Sequence, residues 1–182
     1  MKNKLKAAVM PAIALSLMFL LPAAAVEPSA SERQQLALPS EMAFSIPMNN
    51  FCSTEQNMDF ALQLSNTSAS PAQITLHLYQ QDGSEFKEEG SSYRDIGSTL
   101  VPGKAASLPG HATGLYHINF GNHKQCNERV YMGTVEVNTG TASLLASGWV
   151  SNNGAFQNIV VNENKTFDLS APAVKTETTT SP

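Results

Sequence analysis

Apolar and polar residues alternate along most of the chain beyond residue 42. Met58, Phe60, Leu62 and Leu64 alternate with Asp59, Ala61, Gln63 and Ser65. Ile74, Leu76 and Leu78 alternate with Thr75, His77 and Tyr79. The same period of two recurs at Tyr116, Ile118 and Phe120, and at Tyr131, Gly133, Val135 and Val137. It recurs again at Ala142, Leu144, Ala146, Gly148 and Val150. Successive side chains of a strand point to opposite faces, so the pattern predicts half-buried strands. Short runs at 156–161 and 166–169 complete the set. Residues 43–47 read as a first edge strand, since Pro47 fits an edge better than a centre.

The punctuation between these runs consists of turn residues. Asp82-Gly83 follows one strand. Pro102-Gly103 suits the central pair of a type II turn, where glycine accepts a positive φ. Asn138, Thr139 and Gly140 predict a short hairpin between the strands they join, and Asn153-Gly154 predicts a type I′ hairpin. No amphipathic helix follows residue 25. About seven to nine short strands at intervals of about 10–15 residues predict an all-β fold, an antiparallel β-sandwich. A small outer-membrane barrel is the runner-up, but it needs strands of about 9–11 residues with a lipid-facing band.

Residues 64–83, with Asn66-Thr67 ending one strand, a second strand running into Tyr79 and the turn Asp82-Gly83, resemble immunoglobulin-like sandwich modules of bacterial secreted proteins. Leu100, Val101, Pro102 and Gly103 are similar to the turn after a strand in such modules. The resemblance covers residues 50–110 well and implies an Ig-like sandwich; it carries over no active-site residue. A closer comparison is with pilus subunits of the chaperone–usher route. This chain departs from them in the wide spacing of its cysteines and in a C-terminus, Thr180-Ser181-Pro182, without a near-terminal aromatic.

The N-terminus sets an address. Lys2, Lys4 and Lys6 precede an apolar run at 7–21 and the small residues Ala23, Ala24 and Ala25. That order defines a secretory signal peptide over 1–25, cleaved before Val26. The run contains Pro11 and is shorter than the roughly 20 residues of a span, so no membrane span is expected in the mature form. A flexible leader follows at 26–41, then the sandwich domain at 42–169. The polar, Pro-containing stretch 170–182 reads as a disordered tail. The expected location is outside the cytoplasm, periplasmic or extracellular and at the cell surface.

The whole chain has 11 basic and 15 acidic residues, a net charge of −4. Loss of the three N-terminal lysines takes it to −7. A nucleic-acid binder working by bulk positive charge is thereby excluded. The only two cysteines, Cys52 and Cys126, are expected to form a disulfide in an oxidising compartment.

Candidate chemistry is sparse. His77 and His117 fall on the polar phase of their strands and are expected to face solvent. His117, His123 and Cys126 are the best metal group, but the expected disulfide removes the thiolate, so no metal and no cofactor are expected. Asp82, Glu85, Glu88 and Glu89 read as a solvated loop rather than a Ca²⁺ site. There is no G-x-S-x-G elbow, no Walker loop and no G-x-G-x-x-G, so no catalytic residue is assigned and the chain is not expected to be an enzyme. Asn66 and Asn164 match N-x-S/T acceptor sites.

Leu145 and Trp149, the latter the only tryptophan, place apolar groups on an otherwise polar strand face. Trp149 either stacks on a ligand or partner, or fills a second buried layer with Leu145; burial is the reading preferred. In both cases that face is expected to be covered by another sheet, loop or subunit, making Leu145 and Trp149 the candidate interaction surface. The expected function is that of an exported, non-enzymatic interaction module, with a protein partner or self-association. A glycan- or small-ligand-binding module and a pilin-like subunit are the alternatives.

Overall fold

The computed structural model describes residues 37–48, 58–122, 125–152 and 154–172. These contain nine strands. The first five are β1 (Glu41–Ser45), β2 (Met58–Asn66), β3 (Ala72–Gln80), β4 (Ala105–Leu108) and β5 (Thr113–Asn119). The last four are β6 (Val130–Thr139), β7 (Thr141–Asn152), β8 (Ala155–Ile159) and β9 (Phe167–Ser170). Two antiparallel sheets form, one in the order β1-β6-β3-β4 and one in the order β5-β2-β7-β8, with β9 paired to the first part of β7. The fold is an all-β sandwich, and the barrel alternative falls.

Alternation builds the core as expected. Phe60, Leu62 and Leu64 of β2, with Leu144, Ala146 and Val150 of β7, face Ile74, Leu76 and Leu78 of β3 and Val135 and Val137 of β6. All are at most 1% exposed. Burying such side chains contributes roughly 1.5–3 kcal/mol each, which offsets the chain entropy lost on folding. Phe44 of β1 lies across Gly133 of β6 in register, and its ring fills the space a β-carbon would need there.

One turn departs from expectation. Gly140 is left-handed, with φ +67°, and does reverse the chain. Yet β6 and β7 do not pair: β6 joins β3 and β1, whereas β7 joins β2. The expected hairpin is instead a step from one sheet to the other, and the N–H of Ala171 seals it by donating to Gly140 O. Val101–Lys104 behaves as read, with Gly103 at φ +74° and the Lys104 N–H donating to Val101 O. At the β7–β8 reversal Asn152 pairs with Ala155 and Gly154 has φ +84°, while Asn153 lies outside the described residues.

The β3–β4 connection positions the candidate site. Phe86 is buried against Phe120, with ring centroids 5.7 Å apart. The chain then crosses to the edge of the five-stranded sheet. There Ser91 N–H donates to His117 O, and Thr99 and Leu100 N–H both donate to Leu115 O. Leu100 enters the core beside Gly114, where a β-carbon would collide with it. The chain returns to β3 through Gly103 N–H, which donates to Leu76 O.

Candidate functional site: an aromatic groove on the five-stranded sheet

The outer face of the five-stranded sheet carries Asp59, Ala61 and Gln63 from β2, and Leu115 and His117 from β5. It carries Ser147 and Trp149 from β7, and Phe156 and Asn158 from β8. The register sets Ala61 opposite both His117 and Trp149, and Trp149 opposite Asn158. Residues 91–98 fold over this face. Tyr93 and Ile96 exchange both backbone hydrogen bonds around Arg94 and Asp95, at φ 49° and 66°, so the segment is a small hairpin with a two-residue left-handed tip.

The hairpin brings Tyr93 down onto the sheet. Its ring lies 5.0 Å from that of His117 and 5.2 Å from that of Trp149, the latter edge-on. Trp149 meets Phe156 edge-on on another side at 5.5 Å. Edge-to-face pairs of this kind stabilise by about 0.5–1.5 kcal/mol beyond their area. Trp149 and Leu145 are half-buried, and Leu145 sits opposite Ser65, away from the groove. The expected cover over Trp149 is a loop of the same chain.

Between hairpin and sheet lies a groove of about 390 Å³, within the usual range of small-molecule sites. Trp149, Tyr93 and Ile96 form apolar walls, and Gln63, Asn158 and Asn164 supply amides. Asn164 comes from the turn Asn162–Asn164, whose residues have φ of 46°, 55° and 59°. Three consecutive left-handed non-glycine residues cost energy, and such strain collects at ligand clamps and switches. A shallower depression of about 470 Å³ lies on the other sheet between Tyr79, Tyr131 and Met132.

Beside the groove runs a polar chain that alternation alone did not reveal. His117 is 4% exposed, not on a solvated face as its phase implied, because the 91–98 hairpin covers that face. Its Nε2 lies 3.2 Å from Asp59 Oδ1 and its Nδ1 2.9 Å from Ser91 Oγ. The carboxylate accepts from Nε2–H, which leaves Nδ1 to accept from the serine hydroxyl. Asn119 Nδ2 also donates to Asp59 Oδ1, at 2.9 Å. Ser98 Oγ accepts from His117 N–H and donates to Ser91 O. These bonds hold the hairpin to β5 and β2.

The other expected groups are dispersed. His77 is about a quarter exposed and bonds Glu85 Oε1 through Nδ1 at 2.7 Å. Hydrogen bonding from Lys87, then from His77, holds the Glu85 carboxyl below its usual range. Asp82 accepts from Ser84 instead, so the acidic loop does not converge. Among the described residues no three His, Cys, Asp or Glu side chains group as metal ligands. Cys52 and His123 lie outside the described residues. Asn66 is 1% exposed, and its Nδ2 donates to Ser70 O, Leu108 O and Pro109 O; it is a loop clamp rather than an accessible acceptor site. Comparison with known proteins finds no matching family model, no matching curated protein and no matching solved structure.

Proposed function

We propose that this is an exported, non-enzymatic β-sandwich that acts by binding in the envelope or extracellular space, and that the Tyr93–Trp149 groove is its contact surface. The observation that carries this reading is the groove itself: aromatic walls, amide groups and strained backbone at two of its borders. Ig-like modules are the architecture this reading assumes, and the two packed sheets are compatible with it.

Export rests on the basic and apolar pattern of residues 1–25. A Cys52–Cys126 disulfide fits that address. Ser91, His117 and Asp59 superficially suggest nucleophile, base and acid. Two features favour a structural role. His117 is 4% exposed and packed under the Tyr93 ring, so little of its imidazole meets solvent. Ser91 N–H is engaged with His117 O, so it is not free to hold an oxyanion.

Assembly or protein binding is favoured by a second observation. Ile96 and Phe156, each 61% exposed, stand at or beside the groove, and Val160 is 56% exposed one residue beyond β8. Light scattering on the oxidised chain from Val26 onward, over a hundredfold concentration range, tests it. Self-association through this face gives a rising mass that Phe156→Ser abolishes. A monomer whose Trp149 emission responds to no added ligand, peptide or partner overturns the binding reading.

A further inference from the structure

We infer that the groove takes a neutral saccharide, recognised through hydroxyl groups and the C–H face of a sugar ring. This rests on the reading of the groove as the binding surface and names what it binds.

The chemistry of the lining makes the selection. Its longer polar side chains are Gln63, Asn158 and Asn164, all primary amides, and Ser147 adds a hydroxyl. Each amide presents an acceptor oxygen and two N–H donors side by side. A sugar hydroxyl both donates and accepts, so adjacent hydroxyls can satisfy an amide on both sides. No charged side chain lines the groove. An anionic or cationic ligand would lose hydration there without gaining a countercharge, which is costly. The charged residues around the rim alternate in sign, with Arg94 beside Asp95 and Glu163 ion-paired to Lys165 at 2.6 Å. They therefore set up no strong field of either sign.

The walls add the second half. Trp149 and Tyr93 offer large rigid surfaces with little rotamer entropy to lose, suited to the apolar face of a sugar ring. A wholly apolar occupant, such as a hydrophobic peptide or an acyl chain, would leave the three amides unpaired on burial. The borders are also preformed. Asn164 is presented by a left-handed turn, and Tyr93 is held by the Ser91–His117–Asp59 chain. A preorganised site loses less entropy on binding.

Trp149 is the only tryptophan, so the emission of the protein reports this groove directly. The full oxidised chain is titrated with three sets of probes: neutral oligosaccharides of glucose, mannose and N-acetylglucosamine; an oligouronate; and an apolar octapeptide. The expected result is a saturable emission change with at least one neutral series. Asn158→Ala and Gln63→Ala, both at exposed positions, each weaken it at least tenfold while circular dichroism and the urea midpoint stay unchanged. The inference is overturned if no neutral series gives saturation, if the oligouronate binds equally well, or if Asn158→Ala and Gln63→Ala leave the affinity intact. A response to the octapeptide alone overturns the saccharide and keeps the groove as a binding surface. No response to any probe, together with a concentration-independent monomer, overturns both.

Discussion

The ring of Tyr93 stands edge-on to that of Trp149, with centroids 5.2 Å apart and planes at 61°. Fifty-six positions separate the two residues in sequence, and one flanks a hairpin tip while the other lies within a strand. The contact is what converts an open sheet face into a groove.

Tyr93→Ala therefore removes the aromatic contacts that hold the hairpin down. The loss in stability is expected at about 1–2 kcal/mol, from two ring contacts and the area they bury. Trp149 emission should shift to the red as water reaches the indole. Hydrogen exchange should quicken at the amides of Ser91 and Thr99, which bond to β5, but not at the centre of β3. Unchanged exchange at those two amides would show that the His117 chain holds the hairpin by itself.

Asn66→Ala removes the amide that donates to Leu108 O in a buried corner and to Ser70 O and Pro109 O beside it. It also removes the oxygen that accepts from Ser68 N–H and Oγ. Ser70 O keeps Ser68 Oγ and Pro109 O keeps Ala112 N–H. Each unsatisfied buried group costs about 1–3 kcal/mol, and partial hydration will recover some of that. A loss of at least about 2 kcal/mol in urea-induced unfolding is expected. The same burial predicts the outcome of expression in a glycosylating host: mass spectrometry should find glycan at exposed Asn164 and none at folded Asn66.

Gly133→Ala places a methyl group against the Phe44 ring. Phe44 must swing away and take β1 with it. Overpacking of this kind costs about 1–3 kcal/mol. Adding Phe44→Leu to Gly133→Ala should recover part of the loss, and a strictly additive double variant would contradict the proposed contact.

Tyr116 gives the pH dependence at the alkaline end. Burial, and then the charge of Glu88, push its hydroxyl far above the usual tyrosine range, while its O–H donates to Glu88 O at 3.1 Å. A raised folded pKa means stability is intact below the unfolded value of about 10 and falls as pH rises past it, because only the unfolded chain ionises readily. Thermal midpoints should decline above pH 10. Tyr116→Phe should start lower, through the lost hydrogen bond, and decline less steeply.

The core was legible from alternation because residues such as Leu62, Leu76 and Val150 are needed on one face only, and period two states that need directly. The sheet assignment of β6 and β7 was not. Gly140 announces a reversal, but a reversal is compatible both with pairing the next strand and with crossing to the opposite sheet. His117 was misplaced for a related reason: its phase gives the face correctly, while the cover on that face comes from residues 91–98, which carry no regular period. Trp149 and Leu145, apolar on the polar phase, were the available signal that something covers this sheet. Nothing in the sequence brought Ser91 and Asp59 to His117, since 58 positions separate Asp59 from the histidine and only strand register unites them.

The step at Gly140 also has a kinetic consequence. Leu62 pairs with Gly148, Leu76 with Val135 and Ala43 with Thr134, so most ladders join distant parts of the chain. Among the described residues only β7 and β8 are paired neighbours joined by a two-residue turn. Little local structure can form before long loops close, and such topologies reach the native state in about milliseconds to seconds rather than microseconds. For a chain exported as proposed, that delay favours transport: the polypeptide remains threadable while it crosses the membrane and closes its sheets on the far side.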